Sequence, residues 1–299
     1  MGIKSKSLLG VIFADVVWGL SYVLSGKLLL TMNAVSIISI RTLIAAISMC
    51  LFVLITRSNM KINGMKDFYT LVLLSLFQPV IYFIFELNAI KHSSPTFVAL
   101  LMCCVPILVP LEIYITEKIK PNPHLKYGIA ISVIGVVAVI MGGDENSQLL
   151  KSPLGIVLAV GAVLCATGYS TVVRRLTRRY SPITITTYQN IIGVFLFIPI
   201  FFIFDYKNFL QVQFTSETIC YLVIVGVVCS SLAFLFYVNS IKNLGAATTT
   251  LINYLSPIVA AIGAYFIFSE RLLPLQIFGI IVTILGLIYG TTSIKSKKI

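Results

Sequence analysis

The sequence predicts an all-α polytopic membrane protein: ten transmembrane helices forming two inverted five-helix repeats, with both termini cytoplasmic. Three observations predict it. Hydrophobic residues fill 58% of the 299 positions and charged residues 11%, where soluble domains carry about a quarter charged residues. Sixteen of the twenty-two Lys and Arg fall on one side when the apolar segments are threaded back and forth. A set of Asn, Lys, Pro and Gly residues recurs at a constant spacing of 151.

The mean hydropathy is +1.01. A chain this apolar cannot hide its surface in water, so lipid is its solvent. The length is used up by spans, which leaves no room for a separate soluble catalytic domain, and no Gly-rich nucleotide loop is present. A net charge of +12 would suggest nucleic acid in a soluble protein. Here Lys and Arg mark cytoplasmic loops and anionic lipid, so the expected partners are the bilayer and a small molecule, with no nucleic acid. The six cysteines lie inside apolar runs and read as small hydrophobes. His92 and His124 fall in loops without a ligand partner, so neither a metal nor a cofactor is expected.

Apolar segments run over 8–30, 34–56, 68–90, 95–116, 126–142, 153–173, 183–204, 217–240, 246–268 and 274–293. Each is long enough to cross, and the first is too long for a signal-peptide core. Breakers separate them, as at Asn63-Gly64, Pro121-Asn122-Pro123, Gly142-Gly143-Asp144 and Ser181-Pro182. With the N-terminus inside, the cytoplasmic set includes Lys4, Arg57, Lys66, Lys118, Lys126, Arg174, Arg175, Arg178, Arg179, Lys242, Lys295, Lys297 and Lys298. The outer set is Lys27, Lys91, Lys151, Lys207 and Arg271, and Arg41 lies within a span. That bias fixes an even number of crossings.

The repeat pairs Asn88-Ala-Ile-Lys91 with Asn239-Ser-Ile-Lys242, Pro106 with Pro257, Gly128 with Gly279, and Gly135 with Gly286. Arg41 aligns with Gln189, Tyr22 with Tyr169, Lys27 with Arg174, and Glu117 with Glu270 after a two-residue slip. The units span 1–146 and 147–299. Five helices is an odd number, so the second unit lies inverted, which puts a substrate site near mid-membrane between the halves. Gly128, Ser132 and Gly135, with Gly279, Thr283, Gly286 and Gly290, make small-residue faces. These read either as close packing within a monomer or as a homodimer seam.

Trp18-Gly19 in the first helix, Arg41 in the second, Asn-Ala-Ile-Lys ending the third, Pro106 in the fourth, then an acid–base pair and a Gly-x6-Gly helix all have counterparts in the second half. This ordered set resembles the drug/metabolite transporter superfamily, in its ten-helix EamA-type branch. The resemblance covers nearly the whole chain. It implies a secondary transporter of small organic metabolites in the bacterial cytoplasmic membrane, often an exporter of amino acids or amphiphilic compounds. It also implies a central cavity lined by helices 1, 3, 4, 6, 8 and 9. The halves are not equivalent: Cys165-Ala166 stands opposite Trp18-Gly19, and Gln189 opposite Arg41.

Four ionisable residues lie inside spans, each costing ~2.5–3.5 kcal/mol to insert: Asp15, Arg41, Glu86 and Glu112. Helix rise puts Arg41 roughly 6 Å and Glu86 roughly 10 Å outward of mid-membrane, within reach of each other. Glu86 reads either as a site for an amino group or a proton, or as half of a structural pair with Arg41; a pair that breaks on protonation would be a coupling device. Asp15, Trp18 and Tyr22 share one face of helix 1, an acid beside aromatics suited to a partly apolar amine. Gln78, Tyr82 and Glu86 share one face of helix 3 next to Pro79. Tyr169, Tyr237, Asn253 and Tyr254 complete the expected substrate-binding set, with Pro106 and Pro257 as hinges. Glu112, near the cytoplasmic end of its helix, is expected to reach water or a loop cation. The competing function is an integral-membrane enzyme acting on lipid or isoprenoid substrates. Such enzymes gather acids at one face, whereas these acids are scattered in depth.

Overall fold

The computed structural model describes residues 2–120, 124–142 and 152–291. Pro121, Asn122, Pro123, Gly143, Asp144, Lys151, Lys295, Lys297, Lys298 and the repeat boundary at 146/147 lie outside the described residues. The described residues are mainly helical, without a strand. The helices are α1 (Ile3–Leu28), α2 (Ala34–Thr56), α3 (Met65–His92), α4 (Pro95–Glu117), α5 (Leu125–Met141), α6 (Pro153–Leu176), α7 (Pro182–Phe204), α8 (Ser216–Leu244), α9 (Ala246–Phe268) and α10 (Pro274–Thr291). Eight are long and apolar enough to cross a membrane, and α5 and α10 are shorter apolar helices. The protein is a multi-pass membrane protein.

Local sequence explains the ends. Ser94, Ser181 and Thr215 accept the N-terminal amides of α4, α7 and α8. Proline opens α4, α6, α7 and α10, where its missing N–H costs nothing. Lys118 (φ 58°) and Ser269 (φ 54°) stop α4 and α9 in the left-handed conformation, 151 residues apart. The helix stops therefore match in strict register. The slip read between the glutamates is real: Glu117 ends its helix, while Glu270 lies just beyond the stop.

The outward faces are apolar, as lipid requires. On α5 the buried residues include Gly128, Ser132 and Gly135, while Val133, Ile134 and Val137 face outward. Lipid is as apolar as leucine, so close backbone approach and hydrogen bonds decide which face turns inward. A Cβ on Gly135 would strike Thr283 and the Gly279 carbonyl, and one on Gly128 would strike Gly290 and the Gly286 carbonyl. The small-residue faces thus meet each other within one chain, which is the packing alternative and leaves neither free for a dimer seam.

The halves interlock. Helix α1 packs on α8 and α9, and α6 packs on α3 and α4. Side-chain bonds sort the connections to two ends. Ser240 and Asn243 bond Ser7, Thr184 bonds the Asn59 carbonyl, and Arg174 pairs with Glu117 at the arginine-rich end. Asn33 bonds Asp205, and Ser94 bonds Glu270, at the opposite end. These ends separate the described Lys and Arg as the charge count does.

Four helices are irregular in mid-span. Helix α3 widens over Leu76–Ile81, where Gln78 is extended (φ −152°, ψ 122°) and its bond to Pro79 is cis. Its counterpart α8 widens over Ile224–Leu232 without any proline. Helix α4 breaks at Cys103–Cys104, just before Pro106, and α9 tightens over Leu251–Tyr254, just before Pro257. The irregularities of α3, α4 and α9 border one central cavity, and α8 reaches its wall at Phe234, just past its widened turns.

Candidate functional site

The cavity is walled by Trp18, Ser21 and Tyr22 of α1, Arg41 of α2, Gln78, Tyr82, Phe83 and Glu86 of α3, and Met102 and Val105 of α4. The second half adds Ala166, Tyr169 and Ser170 of α6, Phe234 and Tyr237 of α8, and Asn253 and Ser256 of α9. The room open to a water-sized sphere is about 40 Å³. That holds a few waters and no metabolite.

Arg41 and Glu86 form the charged centre. Arg41 Nη1 lies 3.8 Å from Glu86 Oε2, and both side chains are almost wholly buried. A widened turn in α8 presents Ser230, whose Oγ accepts from Arg41 Nε at 3.0 Å. The guanidinium carbon sits 3.8 Å from the centre of the Phe83 ring, a cation–π contact. Tyr82 donates to Glu86 Oε1 at 2.9 Å, and the Tyr22 and Tyr82 hydroxyls are 3.4 Å apart. Both groups are well held, yet the two facing atoms, Nη1 and Oε2, have no hydrogen-bond partner. At 3.8 Å they attract without bonding. Buried polar atoms are rarely left so, and a pair of opposite charge left facing a cavity is a mark of ligand recognition.

The second half answers with neutral groups. Tyr169 donates to Gln189 Oε1 at 2.9 Å, and the Tyr237 hydroxyl meets Ser170 Oγ at 3.0 Å. Trp18 donates through Nε1 to the Cys229 carbonyl at 3.1 Å, within the widened segment of α8. Its ring centre lies 5.0 Å from both Phe234 and Tyr237. One wall is charged and the other is aromatic.

The sequence-derived residues divide into two groups here. Trp18, Tyr22, Gln78, Tyr82, Glu86, Tyr169, Tyr237 and Asn253 come together on the wall with Arg41. Asp15 and Tyr254 do not line it. Asp15 is fully buried and accepts the Leu255 and Ser256 amides at 2.9 and 3.0 Å, together with the Ser256 hydroxyl. It caps the second segment of α9, where an acid offsets the exposed amides and the helix dipole. Tyr254 packs with Cys103, Ile107 and Leu125 behind the cavity. Pro106 and Pro257 each sit in the first turn after a helix break. Sequence reasoning missed Phe83 and Phe234. The repeat spacing carried the signal, because they are equivalent positions 151 apart.

An interlocked bundle of membrane-crossing helices around a buried amphiphilic cavity is the architecture of a membrane transport protein. The model of the EamA-like transporter family matches residues 5–141 and again 153–291. The chain belongs to this family and is a membrane transporter. An uncharacterized transporter of Archaeoglobus fulgidus is 24% identical over 97% of this chain and 98% of its own length. The uncharacterized inner membrane transporter YicL of Salmonella typhimurium is 21% identical over 88% of this chain and 87% of its own. A solved crystal structure superposes with a TM-score of 0.70 at 15% identity, covering 96% of this chain and 98% of that one, which shows the fold.

Proposed function

We propose that this protein is a secondary transporter, and not an enzyme, that moves small organic metabolites across the bacterial cytoplasmic membrane by alternating access. In this reading all ten helices cross, both termini are cytoplasmic, and residues 1–146 and 147–299 are inverted repeats that rock about the cavity. The substrates are amino acids or amphiphilic compounds, and the direction is export. The observation that carries the reading is the Arg41–Glu86 pair, whose facing atoms are buried and unpartnered beside an aromatic wall.

Trp18, Phe234 and Tyr237 take the apolar part of the substrate. Glu86 takes its amino group or, in the empty carrier, a proton; Arg41 balances Glu86 only when it is bare, so the proton-loaded and amine-loaded centres carry the same net +1. Exchange of a proton for the amino group at Glu86 couples the flow to the proton gradient. Asp15 and Tyr254 support the wall from behind, and the breaks before Pro106 and Pro257 supply the bending points.

Reconstitution tests this. Vesicles containing the protein should move an amphiphilic amino compound faster than empty vesicles, and an imposed pH gradient should change that rate. No acceleration for any solute that thermally stabilises the purified protein would sink the proposal.

A further inference from the structure

Equivalent helix ends finish differently in the two halves. At the arginine-rich end Arg174, in the last turn of α6, lies 2.6 Å from Glu117, the last residue of α4. Lys27, which aligns with Arg174, stands in the last turn of α1. The last residue of α9, 151 positions after Glu117, is Phe268. Lys27 Nζ lies 5.6 Å from the centre of the Phe268 ring. The repeat keeps the cation beside the helix end but puts a ring where the other half has a carboxylate. A ring face attracts an ammonium without cancelling its charge. Among the described residues neither Lys27 nor Lys91, in the last turn of α3, forms an ion pair. Loop-charge bias explains cations at the arginine-rich end and gives no reason for these two at the other.

Lys91 lines a crevice at this end, and Lys27 stands beside it over the Phe268 wall. Leu29, Leu30, Ile90 and Pro95 make the rest of the wall apolar. The room open to a water-sized sphere is about 400 Å³, ten times that of the central cavity. Gly26 brings the α1 backbone against the Phe268 and Pro95 rings, which form the floor. Glu270 also lines the crevice; it is buried and accepts the Ser94 hydroxyl at 3.1 Å, so it belongs to the back wall.

The front of the crevice faces lipid. Phe13, Leu20 and Lys27 follow one another at seven residues, close to two helical turns, so they share a stripe of α1. Phe13 and Leu20 are exposed on a helix that crosses the membrane, and Lys27 ends their stripe. On α9 the exposed Ile262, Tyr265 and Phe266 lead up to Phe268. A lysine at the end of a lipid-facing stripe carries its ammonium to the headgroup layer.

We propose that this crevice binds an anionic phospholipid, its phosphate held by Lys27 and Lys91 and an acyl chain laid along Leu30 and Phe268. A free phosphate would meet the lysines and leave the apolar wall empty, whereas a lipid satisfies both. In the orientation given above the site belongs to the outer leaflet. It lies apart from the central cavity and does not depend on the transport reading.

The test uses the full chain in phosphatidylcholine vesicles holding a trace of phosphatidylglycerol with a photoreactive diazirine in one acyl chain. Mass spectrometry locates the cross-links. Residues 24–30 and 265–268 should be labelled in excess over the same diazirine carried on phosphatidylcholine. Lys27→Gln and Lys91→Gln should each reduce that excess roughly fivefold, the worth of one basic residue at an anionic surface. Phe268→Glu, which restores the carboxylate of the other half beside Lys27, should reduce it likewise. Arg175→Gln, at the arginine-rich end, should leave it unchanged. Equal labelling by the two probes on the unaltered chain, which needs no variant to fold, would overturn the proposal, as would labelling indifferent to both lysines. Glycerol phosphate should not compete; displacement of the probe by it would assign the site to a free phosphate and remove the lipid.

Discussion

Phe83 and Phe234 stand 151 residues apart in the chain, yet their ring centres are 6.5 Å apart at an interplanar angle of 90°. They occupy equivalent places in the two halves and meet beside the cavity. Their surroundings are unequal. Phe83 carries the Arg41 guanidinium on its face, and Phe234 touches Trp18 and Tyr169. Both alanine variants should enlarge the cavity. Phe83→Ala should lower stability by about 1–2 kcal/mol more than Phe234→Ala, the worth of a desolvated cation–π contact. Thermal denaturation in one detergent checks this, and Phe234→Ala should also shift transport toward bulkier solutes.

Removing one partner of the buried pair should separate stability from function. Arg41→Met leaves Glu86 facing no cation and should cost about 3–5 kcal/mol. Arg41→Met with Glu86→Gln should regain most of that, because no charge remains buried. Glu86→Gln alone keeps the Tyr82 bond but leaves the Arg41 charge uncompensated, so it should cost a similar amount, and it should lose the effect of a pH gradient on transport. Unfolding midpoints and vesicle flux, measured on the same preparations, distinguish these outcomes.

Asp15 should behave as a cap. Asp15→Ala strips the Leu255 and Ser256 amides of their acceptor and should destabilise by about 1–2 kcal/mol. Transport should fall for all solutes in the same proportion. A changed order of preference among solutes would instead make Asp15 a recognition group.

Asp205 gives a pH signature outside the spans. Burial alone would raise its pKa, but donors from Ser36, Asn33 and Asn208 outweigh that and hold it below the usual carboxylate range. A depressed folded-state value means stability that is fully present above the unfolded value of about 3.9 and lost as pH falls through the folded one. The advantage of the native chain over Asp205→Asn should be constant above about pH 4 and shrink below it. Denaturation midpoints across that range measure it.

The architecture was legible because lipid imposes long apolar segments and loop charges keep their sides. The cavity was legible because tyrosine, glutamine and glutamate inside a span must face protein. Asp15 was misplaced for a physical reason. An acid in a span signals unmet need, and its partner, the broken start of a helix 240 residues on, has no signature beyond Pro257. The wide turns of α8 contain no proline, so nothing foretold that Ser230 would turn toward Arg41. The bonds of Asp67 to Arg179 and of Asp205 to Asn33 were not foretold, because sequence does not report which loops of opposite halves touch.

The α5–α10 seam has a mechanical consequence. Ser132 Oγ donates to the Thr283 carbonyl at 3.2 Å, Thr283 Oγ1 to the Ser132 carbonyl at 3.5 Å, and glycines hold the backbones together on either side. Helix α5 belongs to one half and α10 to the other, and α10 also touches α4 and α9 around their breaks. Glycine contact tolerates neither sliding nor separation. In the alternating-access cycle proposed above, the pair would serve as an axle for both halves, and a bulky residue at Gly135 should seize both strokes rather than one.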